Sequence, residues 1–337
     1  MQGSSQKKPK RNGNRKKKAV GECKGENHVP RLVHEIYGEG VKTIIFVHSF
    51  LSHKGFWRMQ VPFFTPKYRC ITCDLPGISQ ALDNVKEGPS IKLLARGIVD
   101  LIEEYCLTDV VLVGHSFGNR VVMEADSMVK DRVSGVVLID GDYSSTGNHA
   151  TDKAILDAKM KAAGSFQDMI LPFFMGMHFD QHHEDLQADL LESLLTFKRP
   201  EHVQLYTNMV TWDADFFFRR LRETITPILV LQSTMRTKEG QWKSLMFDEE
   251  SPYQELIKTY AKFCKSLTVV GGHFPMLENP LGINCAISDF LECLTVSDGE
   301  IDRDLQEFLT SLGDTDTLEV DENVLMDGNF TPGLPYT

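Results

Sequence analysis

The segment Gly114-His115-Ser116-Phe117-Gly118 sets one serine between two glycines, directly after the apolar run Val110–Val113 and before the helix-compatible stretch Asn119–Glu124. A strand that turns sharply into a helix lifts the Ser116 hydroxyl clear of a sheet, and glycines are needed where side chains would strike adjacent backbone. The helix start also gathers free N–H groups and the positive end of the dipole, which favour negative charge developing nearby. The chemistry implied is nucleophilic attack by a serine. A hydroxyl is a weak nucleophile at neutral pH, so Ser116 needs a base. His273 is the candidate, because Gly271-Gly272-His273-Phe274-Pro275 follows the last strand-like run and precedes the last helical one. A carboxylate must in turn orient the imidazole. Asp140 directly ends the run Val136–Ile139 and is preferred over Asp142. Either also suits a simple turn cap, and Glu239 stands further along the loop after Ile228–Leu231.

Short apolar, β-branched runs alternate with helix-period segments from residue 29 onward, the pattern of a mostly parallel sheet covered on both faces. Strands are expected at Arg31–Tyr37, Thr43–Val47, Arg69–Cys73, Val110–Val113, Val136–Ile139, Ile228–Leu231 and Leu267–Val270. Ser90 is placed to cap a helix whose apolar face is Ile91, Leu94, Ala95, Ile98, Leu101, Ile102 and Tyr105. A final helix after Pro280 stacks Ile283, Ala286, Ile287, Phe290, Leu291 and Leu294. The alternation lapses over 147–222, which is helical in pattern and rich in Met, Phe and His. An insertion of that length after a strand is expected to cap the carboxyl edge of the sheet, where ligands bind in such folds. Phe173, Phe174, Met175, Met177, Phe179, Trp212, Phe216, Phe217 and Phe218 would supply its apolar underside. The expected organisation is a basic tail (1–28), a core in two parts (29–146 and 223–295) split by the cap (147–222), and an acidic tail with one short helix (296–337).

These marks resemble the α/β-hydrolase family over roughly residues 29–295. Ile44-Ile45-Phe46-Val47-His48-Ser49-Phe50 is similar to that family's strand and H-G-x loop, with Ser49 in place of the usual Gly, and Asp74-Leu75-Pro76-Gly77 is similar to its D-x-x-G turn. The implied fold class is α/β: a mostly parallel, doubly wound sheet of the α/β-hydrolase type with a helical cap insertion. The resemblance implies an oxyanion hole made by the backbone N–H groups of Phe50 and Phe117, and a histidine loop at His273. Most relatives carry the acid after the strand matching Ile228–Leu231. Here that position lacks one, and Asp140 resembles the placement in the haloalkane dehalogenase and cofactor-free quinaldine dioxygenase branches. A serine at the elbow argues against the carboxylate-nucleophile chemistry of dehalogenases and epoxide hydrolases. The expected activity is hydrolysis of an ester, thioester, lactone or similar acyl bond of a small to medium apolar substrate through an acyl-enzyme. The competing readings are a cofactor-free oxygenase of a heteroaromatic substrate and a non-catalytic small-molecule binder.

The candidate pocket residues are His48, His115, Phe174 and Trp212, with loop support and cap packing as their competing roles. His178, His182 and His183, with Asp180, have a spacing that suits metal ligands on one helix face, but a solvated face is the simpler reading, and no metal or other cofactor is expected. Composition fits a soluble globular chain: 337 residues, 42% apolar and 25% charged. The net charge of −11 is uneven, since residues 1–18 hold eight Lys/Arg and no acid while 297–337 hold eleven Asp/Glu against Arg303 alone. The basic head reads as a flexible tail, with weak nucleic-acid contact or nuclear import as the alternative. Seven dispersed cysteines read as free thiols of a reducing compartment. Cys70-x-x-Cys73 lies in an expected strand, where its side chains diverge. No run is long enough to span a membrane, so a cytoplasmic protein acting on a small molecule is expected.

Overall fold

A computed structural model describes residues 31–50, 52–79, 88–177, 190, 200–237 and 241–294. The expectations for both tails, for His178, Phe179, Asp180, His182 and His183, and for Glu239 lie outside the described residues. Strands β1 (Val33–Tyr37), β2 (Thr43–Val47), β3 (Arg69–Asp74), β4 (Val110–His115), β5 (Val133–Ile139), β6 (Ile228–Gln232) and β9 (Cys264–Thr268) form one seven-stranded sheet in the order β1-β3-β2-β4-β5-β6-β9. Every pairing is parallel except that of β1 with β3. A separate antiparallel pair joins β7 (Thr234–Arg236) to β8 (Trp242–Ser244).

Every residue of β2, β4 and β6 is buried, as continuous apolar runs covered on both faces require. Between the strands come α1 (Val61–Phe64), α2 (Ile91–Glu104) and α3 (Phe117–Met128). Helix α2 begins where expected, with the Ser90 hydroxyl accepting from the Leu93 N–H at 3.2 Å. It buries Ile91, Leu94, Ala95, Ile98, Leu101 and Ile102. Helices α4 (His149–Ala163), α5 (Phe166–Met175), α6 (Pro200–Trp212) and α7 (Phe218–Glu223) all lie between β5 and β6. Helices α8 (Pro252–Tyr260), α9 (Pro275–Glu278) and α10 (Pro280–Cys293) complete the described chain, and α10 buries Ile283, Ile287, Phe290 and Leu291.

The last strand departs from expectation. It occupies Cys264–Thr268 rather than Leu267–Val270, because its register is fixed by β6, with Ile228 opposite Cys264 and Gln232 opposite Thr268. An edge strand is only partly covered, so it does not need the apolar run that suggested the later position, and Val270 stands 57% exposed beyond it. The β7–β8 pair lies where a plain loop was expected. Cys70 and Cys73 are both buried in β3, and burial pushes the Cys70 thiol up to about 12. No helix among the described residues is long and apolar enough to cross a membrane.

Candidate active site

Ser116 sits at the junction of β4 and α3 with φ 51° and ψ −110°, a left-handed conformation that strains any residue with a side chain. The two glycines are there for contact reasons. A Cβ on Gly118 would come within 2.5 Å of the Val47 carbonyl oxygen and 2.8 Å of that of His48, and one on Gly114 within 2.8 Å of the Gly118 carbonyl. The elbow is tied to the next strand by the Ser116 N–H, which donates to the Ile139 carbonyl at 2.9 Å, and by the Asn119 side chain, which donates to the same oxygen at 3.1 Å.

Asp140 follows Ile139 with φ 40°, also left-handed, a conformation that Asp tolerates better than most residues. The turn brings its carboxylate under the loop after β9. His273 Nδ1 is 2.7 Å from Asp140 Oδ2, and His273 Nε2 is 3.1 Å from Ser116 Oγ. Asp140 also accepts at Oδ1 from the backbone N–H groups of Ser233 (2.8 Å) and Thr234 (2.7 Å), and at Oδ2 from the Thr234 hydroxyl (2.5 Å). Donors therefore surround an acceptor-only group, so Nδ1 carries the imidazole proton and Nε2 presents its lone pair to the serine. Asp140 and His273 are 1% and 2% exposed, whereas Ser116 is half-buried and open to a substrate.

The histidine loop is held from several sides. Glu278 accepts from the N–H of Gly272 at 2.8 Å and of Phe274 at 3.0 Å, Ser233 donates to the Gly272 carbonyl at 2.8 Å, and His115 Nε2 donates to the His273 carbonyl at 2.7 Å. Such fixed main-chain contacts hold the imidazole in one place, which is what a reacting geometry requires.

The alpha/beta hydrolase family model matches residues 44–284. The chain belongs to the alpha/beta hydrolase family. It is similar to an uncharacterized hydrolase of Bacillus subtilis (strain 168), YugF, with 31% identity over 100 residues, 30% of this chain and 37% of that protein. The chain spans less than half the length of the curated relatives it matches. Among solved structures, a hydrolase from Oleispira antarctica shares the fold with a TM-score of 0.60 at 20% identity, covering 78% of this chain and 96% of that one. A bromoperoxidase from Bacillus anthracis does so with a TM-score of 0.61 at 19% identity, covering 77% and 95%.

Within this alpha/beta hydrolase fold the loop after β2 packs on the start of α3, with the rings of Phe50 and Phe117 5.1 Å apart. Phe117 is the first residue of α3, where a backbone N–H has no intrahelical acceptor. Ser49 fits in place of glycine because its φ is not positive, and its carbonyl accepts from His48 Nδ1 at 2.7 Å. His48 and His115 are both fully buried, which favours loop support over pocket lining. His48 Nε2 accepts from the Leu75 N–H at 3.0 Å and meets the Ser79 hydroxyl at 2.9 Å, and burial lowers its pKa to about 4. Burial and the neighbouring His273 likewise hold His115 well below the ordinary histidine range. The two rings brace the loops that carry Phe50 and His273.

Trp212 is buried as well. Its indole N–H donates to Glu124 at 3.1 Å, and Glu124 lies two turns along α3 from Ser116, roughly 12 Å away at 1.5 Å per residue. It packs the helical insertion onto the core. Phe174 is 7% exposed and meets Phe173 edge-on at 5.2 Å. Asp142 turns away from His273 to Arg120 (3.2 Å) and to the Ser144 hydroxyl (2.6 Å). Arg120 also grips Asp213 of the insertion through contacts of 2.8 and 2.6 Å. Burial raises the Asp142 carboxyl, but Arg120, the Ser144 hydroxyl and Arg236 together outweigh it and the net shift is downward, while burial holds Asp213 up at about 6 against the Arg120 cation.

Sequence reasoning missed Trp242, whose ring lies 4.9 Å from that of His273, and the donors Ser233 and Thr234. It also missed Glu278. The absence of an acid just after β6 was the available signal for the two donors, since small hydroxyl residues there leave room for a carboxylate arriving from β5. No group of three metal-ligating side chains converges among the described residues.

Proposed function

We propose that the protein is a serine hydrolase that cleaves a carboxylic ester, thioester, lactone or similar acyl bond through an acyl-enzyme. The observation that carries this reading is the continuous relay from Ser116 Oγ through His273 to Asp140, at 3.1 and 2.7 Å, on a strained elbow at a helix start. His273 Nε2 takes the Ser116 proton as Oγ attacks the carbonyl carbon, and Asp140 stabilises the imidazolium that forms. The tetrahedral oxyanion is received by the backbone N–H groups of Phe50 and Phe117. The imidazolium then protonates the leaving group, and water, activated by the same histidine, releases the acid and restores Ser116.

The helical insertion serves as a cap over this site, with Phe173 and Trp242 forming an aromatic wall beside His273. A small to medium substrate with apolar parts suits such a wall. The cofactor-free oxygenase reading uses the same His273–Asp140 pair, and the end of β5 as the acid's seat favours it. It assigns no role to a serine hydroxyl within hydrogen-bond distance of the imidazole, so hydrolysis is preferred. A panel of p-nitrophenyl esters assayed with and without oxygen tests the choice. Hydrolysis predicts release of nitrophenolate at equal rates in both, and dependence on oxygen would favour the oxygenase.

A further inference from the structure

The main-chain bonds of the histidine loop fix the His273 backbone but leave its side-chain torsions free, and the hydrogen bond to Asp140 restrains one ring atom. The plane of the imidazole is set by the rings packed against it. By ring centroids His115 lies 5.0 Å away, Phe274 5.3 Å and Trp242 4.9 Å, with the indole tilted 48° to the imidazole. His115 belongs to β4 and Phe274 directly follows His273. Trp242 comes from elsewhere, at the start of β8.

Trp242 is itself held in place. Its indole N–H donates to the Phe173 carbonyl in α5 at 3.2 Å, and the two rings meet edge-on at 5.3 Å. Arg236, opposite Trp242 across the β7–β8 pair, places Cζ 5.6 Å from the indole centroid, within the range of a cation–π contact. The chain leaving α5 passes close by, since a Cβ on Gly176 would lie 3.7 Å from Trp242 Cδ1. The same pair of strands begins at Thr234, which donates twice to Asp140 and follows Ser233, the donor to the Gly272 carbonyl. One small element thus touches the acid and the ring of the base, and its second strand is hydrogen-bonded to the insertion.

We propose that Trp242 is a positioning residue: it holds the His273 imidazole in line with Ser116 and Asp140, and its bond to Phe173 ties that alignment to the seat of the insertion. Its part in turnover rests on the hydrolase reading above, whereas its hold on the imidazole does not. A wall residue acts on the part of the substrate it touches, so its loss is felt most by long acyl chains. A misplaced base instead slows both formation and hydrolysis of the acyl-enzyme, whatever the chain.

The test measures kcat and KM of the full chain as wild type, Trp242→Phe and Trp242→Leu on p-nitrophenyl acetate and p-nitrophenyl octanoate, with folding shown by thermal melts. Trp242→Phe keeps a ring beside the imidazole and loses the N–H. The kcat of Trp242→Leu is expected to fall on the order of tenfold to a hundredfold, by the same factor on both esters. Trp242→Phe should lie between it and wild type, and KM for the acetate should not change. Should Trp242→Leu not fold, the equal loss on both esters is read, smaller in size, in Trp242→Phe. An unchanged kcat, or a loss confined to the octanoate or to KM, overturns the proposal. If wild type hydrolyses neither ester, the hydrolase reading fails by itself and proton NMR decides. The resonance followed is the low-field His273 Nδ1–H, identified by its loss in Asp140→Asn. A line broadened or lost in Trp242→Leu upholds the hold on the imidazole; a line as sharp as that of wild type, or none in wild type, rejects it.

Discussion

Thr234 donates twice to Asp140, through its backbone N–H to Oδ1 at 2.7 Å and through its hydroxyl to Oδ2 at 2.5 Å. Ser233 and Thr234, directly after β6, thus position the carboxylate that ends β5. The carboxylate needs its charge to hold His273 Nδ1–H and the imidazolium formed during reaction. Asp140→Asn should therefore lower kcat on an ester substrate by roughly 10³- to 10⁴-fold while the protein stays folded. Asp142→Asn should lower it far less, because Asp142 points to Arg120 and Ser144. Steady-state kinetics of the two variants side by side check the assignment, and the reverse order of losses would move the acid to Asp142.

Arg120 and Asp213 join the helix that follows Ser116 to the insertion, with side chains 3% and 0% exposed. Removing one partner leaves the other charged in a dry site, so Arg120→Met should cost about 3–5 kcal/mol in urea unfolding. Asp213→Leu added to it should recover much of that loss. The destabilisation of the single variant should also shrink as the pH is lowered, since burial already holds Asp213 near 6 with its partner in place and protonation relieves the stranded charge. Simple additivity of the two substitutions would show that the pair does not couple core and insertion.

His48 gives the fold an acid limit. Its folded-state pKa is about 4 against an ordinary 6.5, so the unfolded chain takes up the proton first as the pH falls. The contribution is fully present above pH 6.5 and is lost progressively toward pH 4, about 3 kcal/mol over that range. His48→Gln, which keeps a donor for the Ser49 carbonyl, should flatten the dependence of stability on pH in this window. Equal slopes for the variant and wild type would remove His48 from the account.

The parts of the molecule legible in its sequence were those fixed by local pattern. Val110–Val113 leading into Gly114-His115-Ser116-Phe117-Gly118 marked the strand, elbow and helix, and the burial of α2 and α10 followed their apolar spacing. What escaped was set by pairing across the chain. The register of β9 depends on β6, and the contact of Trp242 with His273 depends on a β7–β8 pair whose short strands have no distinctive composition. His48 and His115 were ambiguous because a histidine in a motif reads alike whether it faces a pocket or braces a loop; full burial and backbone partners distinguish the two.

The central claim is that Ser116 is a nucleophile made reactive by His273. Labelling of the folded full chain with a fluorophosphonate, read by mass spectrometry of the tryptic peptide that carries Ser116, tests it most directly. The account predicts one adduct, on Ser116, that is absent in Ser116→Ala and forms far more slowly in His273→Gln. Labelling of Ser116→Ala at the wild-type rate, or no labelling of the folded wild type, would contradict it.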